Sequence, residues 1–273
     1  MGDETLGAVE KALHLLNLFG QSTQQVQTLT ELTRSSGLNK ATCYRILSSL
    51  RAYGLVDREG DGYRLGFHLL ELAARTKEQI PALNVGLPLM DRLHDEVNQS
   101  VQLVVRSAHD GVYVEVLPDS AHTKLYIRPG RRAPLYAGAS TRLLLAALPD
   151  DEVLSVLREI EPVQLTSETP ITESAIMAKV RDVRSTWFSL SLAELEPYSA
   201  ELAAPLFDAS GQIIAALSVA GTEADYARHE TLRRLIVPLD ATALSISRLL
   251  GYEGNWPTQP GTFLRTQPAS ESV

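Results

Sequence analysis

The sequence has one cysteine, no long apolar run and no overall excess of basic residues. A single thiol, Cys43, cannot form an internal disulfide, which fits a reducing compartment. No stretch approaches the roughly 20 apolar residues of a membrane span. The N-terminus opens with acidic residues and lacks the basic and apolar regions of a secretory signal. These absences predict a cytoplasmic protein.

Signals of catalysis and of cofactor binding are also missing. The six histidines show no metal-ligand spacing such as His-x-His or His-x-x-x-His. The Gly-x-Ser-x-Gly turn of hydrolases is absent. Cys43 falls on an apolar helical stripe and is expected to act as a small hydrophobe rather than a nucleophile. An enzyme is therefore disfavoured, and no cofactor or metal is predicted.

The charge is unevenly distributed along the 273 residues, a length that suits two domains. The net charge of −8 argues against a protein that coats nucleic acid generally. Residues 1–66, however, hold seven basic and seven acidic side chains, so residues 67–273 carry the whole −8. A local basic surface is predicted from six residues: Arg34, Lys40, Arg45, Arg51, Arg58 and Arg64.

The first 66 residues show the order of a winged helix-turn-helix. A first amphipathic helix is expected to bury Leu6, Val9, Leu13, Leu16 and Phe19. Thr28-x-x-Glu31 has the spacing of a capping box and starts a second helix that ends at Gly37. Asn39 can cap a third helix whose buried stripe is Cys43, Leu47 and Leu50. A hairpin with Gly60 and Gly62 at its tip follows.

In such a domain the third helix enters the major groove of DNA. The predicted base-reading residues are Asn39, Lys40, Thr42 and Arg45. Arg34, Arg58 and Arg64 are expected to contact phosphate, which positions the protein without specifying sequence. Tyr44 can either contact DNA or pack under the wing. So small a recognition surface implies a two-fold dimer on palindromic double-stranded DNA.

The rest of the chain predicts an α+β domain. Residues 67–82 form a linker helix, apolar on more than one side and a candidate dimer contact. Residues 83–250 alternate strands and helices around a mostly antiparallel sheet, with a hairpin turn at Asp110-Gly111, a strand at "KLYIR" and a helix that uses Ser140 as its N-cap. The composition of residues 251–273 predicts a mobile tail, in which Trp256 and Phe263 can dock on the body.

Several stretches resemble the IclR-type transcriptional regulators. They are "LTELTRSSGLNKATCYRILSSLRAYGLV", "DGYRLG" followed by "LLELA", "GRRAPLYA" and "AAPLFDASGQIIAALSVAG", in the order and at the spacings of that family. The resemblance implies a C-terminal effector-binding domain of GAF-like fold, with an antiparallel sheet flanked by helices. It also implies dimers that often pair into tetramers, control of catabolic genes, and a small carboxylic or aromatic acid as effector.

The expected effector site departs from the family pattern. Thr141-Arg142 stands where the family carries Gly-Lys, and Ala200-Glu201 replaces its Arg-Cys pair. Of the family's acidic run only Glu194 is kept, and its Ser-Val-Ser run becomes Ser218-Val219-Ala220. Because of these departures, an effector as small as glyoxylate or pyruvate, which the resemblance would imply, is in question for this chain.

A pocket is nevertheless predicted from the residues themselves, for a ligand with polar groups at both ends, such as a phenolic or hydroxylated acid. The free amides at the start of the Ser140 helix suit an anionic or polar group, and Glu201 would accept from a hydroxyl or amine. Glu201 can instead be an ordinary strand-end carboxylate, and Ser140 a simple cap. The predicted lining is Tyr136, Ala139, Ser140, Thr141, Glu201 and Ser218.

The sequence thus predicts an effector-responsive DNA-binding regulator, a repressor of a catabolic operon that a small organic ligand releases. Two alternatives stay open: a small-molecule sensor or scaffold that does not bind DNA, and an enzyme of GAF fold.

Overall fold

A computed structural model describes residues 7–119 and 127–267 of the chain. The chain divides into two compact units between Gln79 and Ile80. The predicted linker, residues 67–82, contains the last helix of the first unit and the first residues of the second. Among the described residues, no helix has the length and apolarity needed to cross a membrane.

The first unit has the predicted winged helix-turn-helix order. The hairpin of β2 and β3 follows the third helix as the wing, and a short strand between the first two helices completes a sheet in the order β1-β3-β2. The elements are α1 (Gly7–Gln21), β1 (Gln27–Thr28), α2 (Leu29–Ser36), α3 (Lys40–Ala52), β2 (Val56–Glu59), β3 (Gly62–Leu65) and α4 (His68–Glu78).

The predicted caps of this unit are confirmed. The Thr28 side chain accepts from the amide of Glu31, and the Glu31 carboxylate accepts from the amide of Thr28 at 2.7 Å. The hydrogen bonds that the amide and the hydroxyl of Thr28 donate to the carboxylate lower the pKa of Glu31 below its usual value. Gly37 ends α2 with a φ of 67°, the left-handed conformation that favours glycine.

The core of the first unit differs from the prediction along α1. Cys43, Leu47 and Leu50 of α3 are buried as expected. In α1, Leu15 and Phe19 are buried, whereas Val9 and Leu13 are exposed. The helix is apolar on two neighbouring faces, and its own unit covers only one of them. Leu6 lies outside the described residues.

The second unit is built on a six-stranded sheet in the order β6-β5-β4-β9-β8-β7, with every neighbouring pair antiparallel. Helices α5 and α10 pack on one face, and α6 contacts the other. The elements are α5 (Pro81–Val97), β4 (Ser100–Ser107), β5 (Asp110–Leu117), β6 (Arg132–Pro134), α6 (Ala139–Ala146), α7 (Asp150–Ile160), α8 (Glu173–Thr186), β7 (Ser189–Leu192), β8 (Ser199–Phe207), β9 (Ile213–Thr222), α9 (Glu223–Tyr226), α10 (His229–Leu249) and α11 (Pro260–Thr266).

Two predicted strand features of this unit need comment. The hairpin between β4 and β5 turns at Ala108 and His109, because Asp110 and Gly111 already pair with β4. Glycine is required at position 111 for packing, because a Cβ there would lie 2.7 Å from the Thr141 methyl carbon. Most of the predicted strand "KLYIR" falls outside the described residues.

The segment after residue 250 was expected to be mobile, yet residues 256–266 pack on the second unit. The Trp256 indole donates to Asp240 Oδ1 at 2.8 Å, and the Thr258 hydroxyl donates to the same oxygen at 2.6 Å. Phe263 is buried against Phe188, with 5.5 Å between ring centroids. The structure thus shows Trp256 and Phe263 docked on the body, the arrangement considered for these two aromatic residues.

Candidate nucleic-acid interface and effector site

The outer face of α3 carries the predicted base-reading side chains. Lys40, the first residue of the helix, and Arg45 are both exposed, and Arg45 lies opposite the buried stripe of Cys43, Leu47 and Leu50. Thr42 is half-buried. Tyr44 is 52% exposed, which disfavours the alternative that it packs under the wing. The helix therefore presents a short basic and polar surface to solvent.

Asn39 has a structural task that limits its proposed contact with a base. Its Oδ1 accepts from the amide of Thr42 at 2.8 Å and caps α3. A bidentate contact with adenine needs the side-chain oxygen as well as the NH₂ group. The cap fixes the direction of this oxygen at the start of α3, so we expect Asn39 to position the helix more than to read adenine.

The three arginines predicted to contact phosphate differ in their surroundings. Arg34 is exposed in the last turn of α2. Arg58 is exposed in the wing, where its Nε donates to the carbonyl of Gly60 at 3.3 Å. The Arg64 guanidinium lies 3.1 Å from a Glu59 oxygen and 4.9 Å from the centroid of the Phe67 ring. Arg64 is thus engaged inside the wing, and its predicted phosphate contact is the weakest of the three.

In the second unit, the Glu201 carboxylate lies at the N-terminus of α6. One oxygen accepts from the amides of Ala139 at 2.9 Å and Ser140 at 3.2 Å. The other accepts from the hydroxyls of Ser140 at 2.5 Å and Ser218 at 2.8 Å. Glu201 is only 7% exposed. We call these four residues the Glu201 cluster.

This geometry corrects two expectations. Ser140 is not the N-cap of its helix, since Gly138 holds that position and Ser140 lies inside the first turn. The helix N-terminus was expected to receive an anionic ligand, but a carboxylate of the protein already occupies it. Glu201 is therefore not an ordinary strand-end carboxylate. Its position follows from the favourable interaction of negative charge with free first-turn amides.

The other predicted lining residues bond elsewhere. The Tyr136 hydroxyl donates to the carbonyl of Val163 at 2.9 Å and accepts from its amide at 3.1 Å. The Thr141 hydroxyl donates to the carbonyl of Ala137 one turn earlier in the chain. Of the six predicted residues, the structure brings together Ala139, Ser140, Glu201 and Ser218 by direct hydrogen bonds.

Tyr113 is a buried group that sequence reasoning missed. Its hydroxyl has no hydrogen-bond partner within the described ranges. Burial raises the pKa of Tyr113 well above its usual value, and the negative charge of Glu201 raises it further. The phenol is therefore neutral and retains an O–H that can donate.

A second missed feature is a buried ion-pair cluster on α6 and the β7–β8 loop. The Arg142 guanidinium donates to one oxygen of Glu194 and to the carbonyl of Leu190 at 2.6 Å. The Lys179 ammonium lies 2.9 Å from the other oxygen of Glu194. The side chains of Arg142 and Glu194 are 2% and 4% exposed. A charged residue inside the apolar run "STRLLLAAL" was the signal that a buried partner exists.

The described part of the chain offers no group of three or more His, Cys, Asp or Glu side chains that could hold a metal ion. Cys43 is buried, and burial raises the pKa of its thiol, which disfavours the reactive thiolate.

Family models match both units. The IclR helix-turn-helix domain matches residues 8–60, and the bacterial transcriptional regulator IclR C-terminal domain matches residues 76–248. The chain belongs to the IclR family. The predicted family and fold class are confirmed.

Similar proteins agree with this assignment. The HTH-type transcriptional regulator KipR of Bacillus subtilis (strain 168) is 33% identical over 245 residues, which cover 89% of this chain and 97% of KipR. Thermotoga maritima IclR has the same fold, with a TM-score of 0.76 at 20% identity, over 91% of this chain and all of that one.

A further solved structure is an IclR homologue from Microbacterium hydrocarbonoxydans complexed with 4-hydroxybenzoate. It matches with a TM-score of 0.74 at 22% identity and covers 89% of this chain and all of that one. IclR-family proteins are DNA-binding regulators, so this chain is a transcriptional regulator rather than an enzyme.

Proposed function

We propose that this IclR-family protein represses a catabolic operon in the cytoplasm and releases its operator when a small organic ligand binds the second unit. The proposal rests on two features of one chain. The first unit has an exposed basic recognition helix, and in the second unit the buried Glu201 carboxylate binds the free amides at the start of α6. The recognition helix can bind DNA. The hydrogen bonds of Glu201 can change when a ligand competes for its carboxylate.

The DNA contacts divide by chemistry. Lys40, Thr42 and Arg45 face the major groove, where an arginine or lysine pairs with guanine and a threonine contacts thymine or a hydrogen-bonding edge. Tyr44 adjoins them. Arg34 and Arg58 contact phosphate, with a smaller part for Arg64 because Glu59 and Phe67 engage it.

A dimer follows from helix α4. None of its residues is buried in the single chain. Phe67 and Leu70 are 65% and 67% exposed, and Leu72 is also exposed. An apolar helix without a covering partner is typical of a subunit interface. We propose that two copies pair through α4, so that two recognition helices meet a palindromic operator. Such dimers can pair further into tetramers.

Replacing Leu70 with glutamate should therefore shift the protein toward monomers, because a charge would be desolvated in the interface. Sedimentation velocity over a range of concentrations measures the change. Arg75→Glu is the matched control, since Arg75 pairs with Glu71 on the exposed helix and should leave association unchanged. A Leu70→Glu protein that associates like the wild type would remove α4 from the interface.

The effector proposal rests on the Glu201 cluster. A carboxylate offers about four lone-pair sites, and Glu201 already accepts from four donors. A ligand must therefore supply a donor that replaces a serine hydroxyl, and a second carboxylate at this point would be repelled. A phenolic or hydroxylated acid with its hydroxyl toward Glu201 meets both demands. The 4-hydroxybenzoate bound by the Microbacterium homologue has this chemistry.

Arg45→Ala should weaken binding to a duplex from the region upstream of the protein's own gene by about 1 to 3 kcal/mol and reduce its sequence preference. Arg34→Ala should weaken binding to the specific duplex and to an unrelated duplex about equally, because the phosphate groups are the same in both. Fluorescence anisotropy at fixed salt measures both effects.

Arg233→Ala, which removes an exposed positive charge from the second unit, is the control for net charge. If Arg45→Ala and Arg34→Ala both bind like the wild type, the proposed docking of α3 is wrong. If the wild type ignores every duplex at low ionic strength, the alternative of a sensor without DNA binding is favoured.

A further inference from the structure

A second cleft of the C-terminal unit has no part in the function proposed above. It lies between α8, the edge strand β7 and the C-terminal helix α11, and its volume is about 480 Å³. Pockets for small molecules have volumes of this size. The residues of the Glu201 cluster do not line it. We call it the β7 cleft.

The charges that meet at Glu194 in the β7 cleft do not cancel. Glu194 supplies one carboxylate, which Arg142 and Lys179 share. Two positive groups against one negative group leave a positive charge at the floor. Lys179 is the accessible one, with 41% of its side chain exposed, whereas Arg142 is buried. An anionic group of a ligand would therefore meet Lys179.

The cleft also contains two acidic residues, Glu168 and Asp182, and both are exposed. Water and salt screen an exposed charge far more than a buried one, because the interaction scales inversely with the local dielectric constant. Lys179 is itself partly exposed, so its attraction for an anion acts mainly at direct contact, where a ligand carboxylate reaches the ammonium at hydrogen-bond distance.

The remaining surface defines the body of the ligand. Five apolar side chains line the cleft: Val183, Phe188, Leu190, Leu192 and Phe263. Among them, Ser189 is 1% exposed, and within the described residues its hydroxyl has no hydrogen-bond partner. A buried hydroxyl without a partner is costly and is satisfied when a polar group binds. The ligand thus combines a carboxylate, an apolar body and room for one further polar group.

One wall of the cleft lies outside the matched family domain, which ends at residue 248. Phe263, Thr266 and Gln267 form this wall. It is held in place by the His229 ring nitrogen at 2.8 Å from the Leu264 carbonyl, and by the amide of Gln259, which donates to the Thr186 carbonyl at 2.9 Å. This wall of the cleft is therefore an addition to the matched domain.

We propose that the β7 cleft is a second small-molecule site, for an amphipathic monocarboxylate with an aromatic or branched aliphatic body. The carboxylate binds Lys179, and the body lies against Phe188 and Phe263. This site is separate from the Glu201 cluster and does not depend on DNA binding.

Calorimetric titration of the full chain with benzoate, benzamide and benzylamine tests the proposal. We expect saturable binding of benzoate, with benzamide at least about tenfold weaker because it lacks the charge. Lys179→Gln should lower the affinity for benzoate about tenfold and leave that for benzamide unchanged. Lys179→Arg should restore most of the loss. Arg181→Gln, an exposed arginine of α8 that does not line the cleft, should have no effect.

Phe263→Ala should weaken benzoate and benzamide alike, since it removes apolar contact and no charge. Absence of saturable benzoate binding overturns the proposal. Tighter binding of benzylamine than benzoate overturns the assigned charge. Equal loss in Lys179→Gln and Arg181→Gln overturns the role of Lys179, because only general charge would then matter.

Discussion

Replacing Arg142 with methionine should lower the free energy of unfolding of the second unit by about 3 kcal/mol. Arg142 is buried, and its removal leaves Glu194 with Lys179 as the remaining charged partner and takes a donor from the Leu190 carbonyl. Breaking a buried pair from one side is costly in a medium of low dielectric constant, and the partly exposed Lys179 compensates the Glu194 charge only in part. Urea unfolding followed by tryptophan fluorescence measures the loss, since both tryptophans, Trp187 and Trp256, lie in this unit.

A double-mutant cycle separates the buried charge from the shape of the side chain. Arg142→Met combined with Glu194→Gln removes both members of the pair, and such neutral replacements often cost little. We therefore expect the double variant to be more stable than Arg142→Met alone. Losses that simply add would mean that the two side chains do not interact in solution.

Glu201→Ala should destabilise the same unit by about 2 to 4 kcal/mol, since two serine hydroxyls and two amides lose a buried acceptor. Glu201→Gln should cost about 1 to 2 kcal/mol, because the amide oxygen still accepts and the serine hydroxyls can rotate to accept from its NH₂ group. The same urea series with tryptophan fluorescence compares them.

Ser218→Ala is the control, since it removes one donor and leaves the other three in place. We expect its cost to be smaller than that of Glu201→Ala. A Glu201→Ala protein as stable as the wild type would show that the cluster is not formed in solution. Because tryptophan reports only the second unit, a change confined to the first unit would leave this signal unaffected.

Most of the structure of the first unit could be predicted from local sequence signals. The capping box at Thr28 and Glu31, the stop at Gly37 and the stripe on α3 are each decided within a few residues, and each is confirmed. The burial of α1 was predicted less well. Helical spacing identifies apolar faces but does not tell which face its own unit covers, and Val9 and Leu13 lie on the uncovered one.

The site in the second unit depended on contacts between distant parts of the chain. Asp110-Gly111 is a strong turn signal, yet Gly111 is needed where α6 approaches β5. The prediction placed Glu201 and Ser140 in one pocket, and the structure brings them together. The sequence did not predict that the Glu201 carboxylate would occupy the N-terminus of the helix. This arrangement depends on the spacing between β8 and α6, which no local pattern encodes. Arg142 and Glu194 were noted only as positions to compare with the family.

The position of Cys43 on the buried face of the recognition helix has a practical consequence for experiments on the protein in solution. A thiol-specific reagent can reach this sulfur only when the helical core of the N-terminal unit opens, and the chain holds no other sulfhydryl to compete for the label. The rate of alkylation therefore reports local opening of the first unit alone. Operator DNA that holds this unit closed should slow the labelling, with no probe introduced by engineering.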